Sequence, residues 1–335
     1  MGGDNAPEEI VRGALSALSS LEDLNLVLIG DLKKINSILE KEDYPADRID
    51  TVHTDEVIEN DDDPGLSIRR KKNSSMVKTI QMVSSGYADA ALSAGNTGAL
   101  MAASLLFLGR VEGISRPALL TPMPSFGGQP VLFLDVGANM DASSEQLLQY
   151  AFMGRLYAQQ VLGIKEPRVG LLNIGTESNK GNAQVKKAYP LLEKHLPGFC
   201  GNIEGTDAFY NTADVVVCDG FVGNIFLKTS EGLSRAILNY FRSGIKTKLR
   251  YKLGAYLLQP VFLGLLQKVD SSGYGGAPLL GVNGLCIKCH GSSKARSIEQ
   301  ALIRQAHPFV KKKVADLLQR SLCDIAITTK VDTGE

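Results

Sequence analysis

The sequence predicts an α/β protein built on a mostly parallel sheet. Short apolar runs rich in β-branched residues, each closing on glycine, recur along the chain, and each precedes a segment of helical character. Strands apolar on both faces belong in a parallel sheet that helices cover on both sides. The 34 glycines among 335 residues exceed the usual ~7%. They are dispersed, which marks tight turns and close backbone approaches rather than a linker.

In chain order, Leu26 to Gly30 reads as strand and turn, with Asp31 capping a helix from Leu32 to Leu39. Ala88 to Ser93 is apolar, turns at Gly95 and enters a small-residue helix from Thr97 to Leu108. Val131 to Val136 ends at Gly137, Val169 to Ile174 at Gly175, and Val215 to Val217 near Gly220. There is an internal echo: Ala88-Asp89 and Ala213-Asp214 each precede a glycine (Gly95, Gly220) and then an asparagine (Asn96, Asn224). Two readings stay open, similar turns in one sheet or two turns lining one cleft beyond the strand ends. From Lys228 to Lys268 no strand-like run occurs, and Ala236, Ile237, Tyr240, Phe241, Ile245 and Leu249 keep a helical pattern until Pro260 interrupts it. This predicts two long helices with a break near Gly254 to Pro260. Glycine turns return at Gly273 to Gly276, and a helix from about Lys294 to Gln319 follows. The expected organisation is one α/β catalytic domain over 1–335, with a helical excursion over 228–272.

Thirty-six basic and 36 acidic residues give no net charge. No global field attracts nucleic acid, and any anionic partner must meet a local patch. No apolar run approaches the roughly 18 residues of a spanning helix; Leu253 to Leu266 holds Gly, Gln and Pro. The start of the sequence lacks an export pattern, so the five cysteines are expected as free thiols in a reducing cytoplasm. Cys286-Ile287-Lys288-Cys289-His290 spells the C-x-x-C-H haem attachment pattern. Haem attachment belongs to exported proteins, and a zinc site lacks a second ligand pair. The expectation is no metal and no organic cofactor.

Four segments have the makings of an anion cradle: Met1 to Pro7, Ser93 to Ala99, Asp135 to Asn139 and Asn173 to Glu177. Glycine lets backbone N–H groups approach a phosphate, and a following helix N-terminus adds partial positive charge. The phosphate-binding candidates are Gly95, Asn96, Thr97, Gly98, Gly137, Asn139, Gly175 and Thr176. None of the segments is a P-loop, and none is the G-x-G-x-x-G of dinucleotide sites, which counts against a dehydrogenase.

Met-Gly-Gly-Asp-Asn-Ala-Pro (1–7), Arg-Arg-Lys-Lys-Asn-Ser-Ser-Met (69–76), Ser-Ala-Gly-Asn-Thr-Gly-Ala (93–99), Asp-Val-Gly-Ala-Asn (135–139), Gly-Leu-Leu-Asn-Ile-Gly-Thr-Glu (170–177), Asp-Gly-Phe-Val-Gly-Asn (219–224) and Tyr-Gly-Gly-Ala (274–277) occur in this order. Together they resemble the acyl carrier protein-dependent phosphate acyltransferase family of bacterial phospholipid synthesis. The resemblance runs from Met1 to about Val314. It implies a three-layer α/β/α fold like that of phosphotransacetylase and isocitrate dehydrogenase, with a protruding helical hairpin. It also implies acyl carrier protein and inorganic phosphate as substrates, a homodimer, and peripheral attachment to the inner face of the cell membrane. Family members carry a short strand before Met-Gly-Gly-Asp, and this sequence starts at that Met.

In such a transfer, phosphate attacks a thioester carbonyl, an oxyanion forms and the carrier thiolate leaves. Phosphate is already anionic near neutral pH. The protein must therefore bring two anions together and stabilise the oxyanion. Lys180, after a glycine turn, is the candidate cation, with a solvated loop lysine as the alternative. Asn224 is the candidate amide donor, with a helix N-cap as the alternative. His290, in a segment similar to the family's Lys-x-His-Gly-Ser, is either an assisting group or a packed structural histidine. Two basic clusters are candidates for docking carrier protein or membrane: Arg69 and Arg70, and Lys246, Lys248, Arg250 and Lys252. The second adjoins Leu257, Leu258 and Phe262, the pattern of an interfacial hairpin. The alternative is a dimer interface made by the same apolar residues.

Overall fold

The computed structural model describes residues 1–269 and 271–321. Asp270 of the expected excursion and the last stretch of the expected domain, 322–335, lie outside the described residues. The chain opens with α1 (Glu8–Ser20), β1 (Leu26–Gly30), α2 (Leu32–Leu39) and β2 (Ile49–His53). Asp31 caps α2 as expected, accepting from Lys33 N–H at 2.9 Å, and so meets donors that a helix start leaves unpaired. β1 and β2 form a separate two-stranded parallel sheet, with α1 and α2 packed over it through Val11, Leu15, Leu18, Ile35 and Leu39.

Next come α3 (Pro64–Arg70), α4 (Ser75–Ser84), β3 (Ala90–Ser93), α5 (Thr97–Phe107), β4 (Ala118–Met123), β5 (Val131–Leu134), α6 (Ser144–Gln160), β6 (Val169–Asn173), α7 (Ala183–His195), β7 (Phe199–Glu204) and β8 (Val215–Val217). Beyond them lie α8 (Gly220–Thr247), α9 (Leu249–Leu257), α10 (Gln259–Val269), β9 (Ala277–Leu280), β10 (Leu285–Lys288), α11 (Ala295–Ala301) and α12 (His307–Lys311). The main sheet has eight strands in the order β3-β10-β9-β4-β5-β8-β6-β7. β3 and β10 are parallel, as are β5, β8, β6 and β7. β9 opposes both its neighbours, and β4 opposes β5. The strand direction therefore reverses across the middle of the sheet. As a result, the C-terminal ends of β3 and β10 lie at one edge, and those of β5, β8, β6 and β7 at the other.

Two apolar layers sandwich the sheet. On one face Tyr150, Met153 and Tyr157 of α6, Leu192 of α7, Ile298 of α11 and Phe309 of α12 cover Leu132, Leu134, Val169 and Val215. On the other, Val77 and Ile80 of α4 and Leu100 and Ala103 of α5 cover Phe133, Val216 and Cys286. Alternate residues of one strand, such as Leu132, Phe133 and Leu134, serve opposite layers, which is why these strands are apolar throughout.

The excursion departs from the expected pair of helices. α8 begins at Gly220, directly after β8, and runs 28 residues. Lys248 takes an extended backbone and ends it, and a second interruption at Leu258 separates α9 from α10. That second break falls inside the expected Gly254 to Pro260 window. Pro260 itself is the second residue of α10, where its missing N–H costs nothing. The expected C-terminal helix is likewise divided. A π-helical turn, Leu302–Ala306, joins α11 to α12, and Lys312 and Lys313 interrupt the helix before it resumes at 314–321.

Candidate active site

Asp135 closes β5, and its carboxylate is fully buried, at 0% exposure. It accepts hydrogen bonds from the backbone N–H groups of Leu119 (2.9 Å), Gly137 (3.2 Å), Ala138 (3.0 Å) and Asn139 (2.6 Å), and from Asn139 Nδ2 (3.1 Å). Burial pushes its carboxyl above the ordinary range, and the bonds from Ala138, Leu119 and Asn139 oppose that shift. Asn139 gives its remaining amide hydrogen to Pro117 O at 2.7 Å. The glycine turn after β5 is an anion nest, but the anion it holds is the chain's own. The N–H of Gly137 and the amide of Asn139 face inward.

The start of α8 packs against this turn. A side-chain carbon at Gly223 would stand 1.9 Å from Asp135 O, so only glycine admits the approach. Phe226, one turn further on, stacks on Phe133 with ring centroids 4.9 Å apart and on Phe209 at 5.5 Å. Between these anchors lies Asn224, half-buried, with its amide about a van der Waals contact from where a Gly137 side chain would be. Asn224 does not cap the helix. That role falls to Asp219, which accepts from Val222 N–H at 2.9 Å. Among the described residues no hydrogen bond occupies the Asn224 carboxamide.

β6 neighbours β8, so its terminal loop opens at the same edge of the sheet. Gly175 is buried in the curl of this loop, where an added side-chain carbon would press on the Glu177 carboxylate and the Lys180 stem. Thr176 and Lys180 are exposed, and Lys180 Nζ stands 3.9 Å from Glu177 Oε1. Exposed pairs of this kind are weak. α7 follows, capped by Asn182. Lys180, Asn224, Gly137, Asn139, Gly175 and Thr176 are thus gathered at one edge.

The remaining candidates lie elsewhere. At the opposite edge, Asn96 caps α5 through Ala99 N–H (3.0 Å), and its amide donates to the carbonyls of Glu59, Asn60 and Asp62. Thr97 and Gly98 form the first turn of that helix, with Gly98 against Pro64. Gly95 abuts Gly2. His290, exposed, shares a hydrogen bond of 2.8 Å with Ser292 Oγ. Lys288 reaches the carbonyls of Ala94 and Cys289, and burial pulls its ammonium down to about 8. Cys286 and Cys289 belong to opposite apolar layers. Among the described residues no group of His, Cys, Asp and Glu suits a metal ion.

Arg69 and Arg70 are exposed on α3, whereas Lys71 of the same run turns inward onto Asp62 and Val57 O. Lys246, Lys248, Arg250 and Lys252 are exposed, and Lys248 and Arg250 flank the ring of Tyr251. Leu249, Leu257 and Leu258 are 83%, 71% and 52% exposed. Phe262 is half-buried against Phe241 of α8, centroids 6.1 Å apart. No helix among the described residues is long and apolar enough to cross a membrane.

The motifs include Asp135 but give its carboxylate no role, although an acid ending an otherwise apolar strand was a signal, and they leave out Asn202 of β7, which donates to Glu177 O at 2.7 Å. Asn202 carried no local signal.

Among solved structures, the fold is similar to a phosphotransacetylase from Streptococcus pyogenes, with a TM-score of 0.60 and 18% identity over 91% of this chain and 92% of that one. It is also similar to the EutD phosphotransacetylase from Staphylococcus aureus, with a TM-score of 0.56 and 16% identity over 92% and 91%. These likenesses establish the three-layer architecture. A family model for fatty acid synthesis protein matches residues 1–317. A phosphate acyltransferase of Geobacillus thermodenitrificans is 49% identical over 96% of this chain and 97% of its own length, and one from Bacillus subtilis is 46% identical over 96% of each. The chain belongs to the phosphate acyltransferase family.

Proposed function

We infer that this protein transfers a fatty acyl group from acyl carrier protein to inorganic phosphate, giving acyl phosphate for phospholipid synthesis. One observation carries the assignment of the reacting edge: the amide of Asn224, without a hydrogen bond among the described residues, lies at the same strand ends as the glycine loop bearing Lys180. In our reading, Gly175, Thr176 and Lys180 receive phosphate. Its oxygen attacks the thioester carbonyl, forming the C–O bond. The Asn224 amide donates to the carbonyl oxygen as it gains charge, and the C–S bond then breaks to release the carrier thiolate. An amide held ready by Gly223 and Phe226 needs no reorganisation as charge develops. Asp135 acts through the Gly137 turn, and His290, at the other edge, has no part in the step.

The test is an assay with acyl carrier protein thioester and inorganic phosphate, following free thiol and acyl phosphate. Thiol release that depends on phosphate is expected; release indifferent to phosphate rejects the reading.

We further propose that α9 and α10 rest on an anionic membrane surface. The exposed leucines give an apolar tip, and Lys246, Lys248, Arg250 and Lys252 give it a basic collar. A second copy of the chain would cover the exposed Leu233, Ile237 and Tyr240 of α8. Replacing Leu257 and Leu258 with Glu should abolish co-flotation with anionic liposomes while leaving the sedimentation coefficient unchanged. A variant that still floats rules out the membrane contact, and a shift to monomer assigns the tip to the dimer instead.

A further inference from the structure

We propose that Asn202 is a positioning residue for phosphate, clamping the Gly175–Lys180 loop from the neighbouring strand. The residue is buried, at 5% exposure. Nδ2 donates to Glu177 O at 2.7 Å, and the same carbonyl accepts Lys180 N–H at 3.1 Å. The amide orientation is fixed, because a carboxamide oxygen cannot face a carbonyl. That leaves Oδ1 buried without a hydrogen-bond partner among the described residues. A core position flanked by buried Ile203 is better packed by an apolar side chain. A polar group held there with half its bonding unmet reflects a requirement other than packing.

The requirement is the shape of the loop. From β6, Asn173 Nδ2 donates to Lys180 O at 3.1 Å. Two carboxamides on adjacent strands thus hold the carbonyls of residues 177 and 180 towards the sheet. The Lys180 ammonium and the Thr176 hydroxyl are left at the surface. With carbonyl oxygens turned away, an arriving anion meets donors rather than acceptors. This inference rests on the reading of the loop as the phosphate-handling element.

Asn202→Asp keeps the shape, removes the donor and places a carboxylate against Glu177 O. The phosphate KM should rise on the order of tenfold to a hundredfold, with the KM for the acyl carrier protein substrate unchanged. Amide hydrogens across residues 175–181 should exchange faster while those of β5 and β8 keep their protection. If the Asp variant does not fold, Asn202→Ala carries the same measurements. A folded variant with a wild-type phosphate KM and unchanged loop exchange overturns the clamp. Lys180→Ala, measured in parallel, separates the two claims. Normal phosphate kinetics in Lys180→Ala removes the loop's role and the clamp with it. An impaired Lys180→Ala beside unaffected Asn202 variants removes the clamp alone.

Discussion

The turns at Gly95-Asn96 and Gly220–Asn224 each lie seven residues after an Ala-Asp pair and each carry an asparagine, yet the two asparagines meet opposite surroundings. Asn96 spends its oxygen on the α5 cap and its amide hydrogens on three carbonyls of the loop before α3. Asn224 stands a full turn inside its helix, relieved of capping by Asp219, with its carboxamide free among the described residues. The cations of the two edges differ in the same way: Lys288 is sunk onto backbone carbonyls, while Lys180 is in solvent beside a weak partner. One edge is braced, and the other holds polar groups in reserve. The comparison teaches that the same residue type serves the fold where its hydrogen bonds are met, and that one left without them among the described residues calls for a different explanation.

The largest expected effect lies at the Asn224 edge. Asn224→Ala and Lys180→Ala should each lower turnover by on the order of 10²–10³ without changing the melting transition. Asn96→Ala should instead keep turnover within a few-fold and lose about 1–2 kcal/mol of stability, the cost of a helix cap. A catalytic loss in Asn96→Ala with unchanged denaturation would break the comparison. Gly223→Ala should sharpen it. The added methyl group cannot fit against Asp135 O, so roughly 1–3 kcal/mol of stability should be lost in urea melts, together with activity as Asn224 shifts.

The smallest effect is a slope. Burial holds Lys288 at about 8, below its ordinary 10.5. Between these values the unfolded chain binds the extra proton, so stability should rise with pH across that window. Lys288→Met should flatten this rise in urea melts at pH 8 and 10; an equal slope in both proteins would place Lys288 in solvent.

Apolar runs closing on glycine located β1, β3, β5, β6 and β8 to within two residues at each end, since burial on both faces leaves few polar choices. β9, β10 and β4 were harder to read. A four-residue strand such as Ala277–Leu280 has too little length for its period to show, and antiparallel insertion into the middle of the sheet has no local signature. The glycine turns were legible as turns, but the direction of their N–H groups was not. Whether Gly137 faces phosphate or Asp135 depends on a carboxylate two residues earlier folding back over the turn.

The sequence by itself determined the class of the fold, the turn positions, the helical excursion after β8 and the family. All of these follow from residue type at fixed spacing. Tertiary structure alone decided which candidates meet. The reversal at β9 and β4 sends the Gly95 turn and His290 to one edge, and Lys180 and Asn224 to the other. The physical reason is that strand pairing joins segments distant along the chain, so the direction of each strand end is fixed by its neighbours in space.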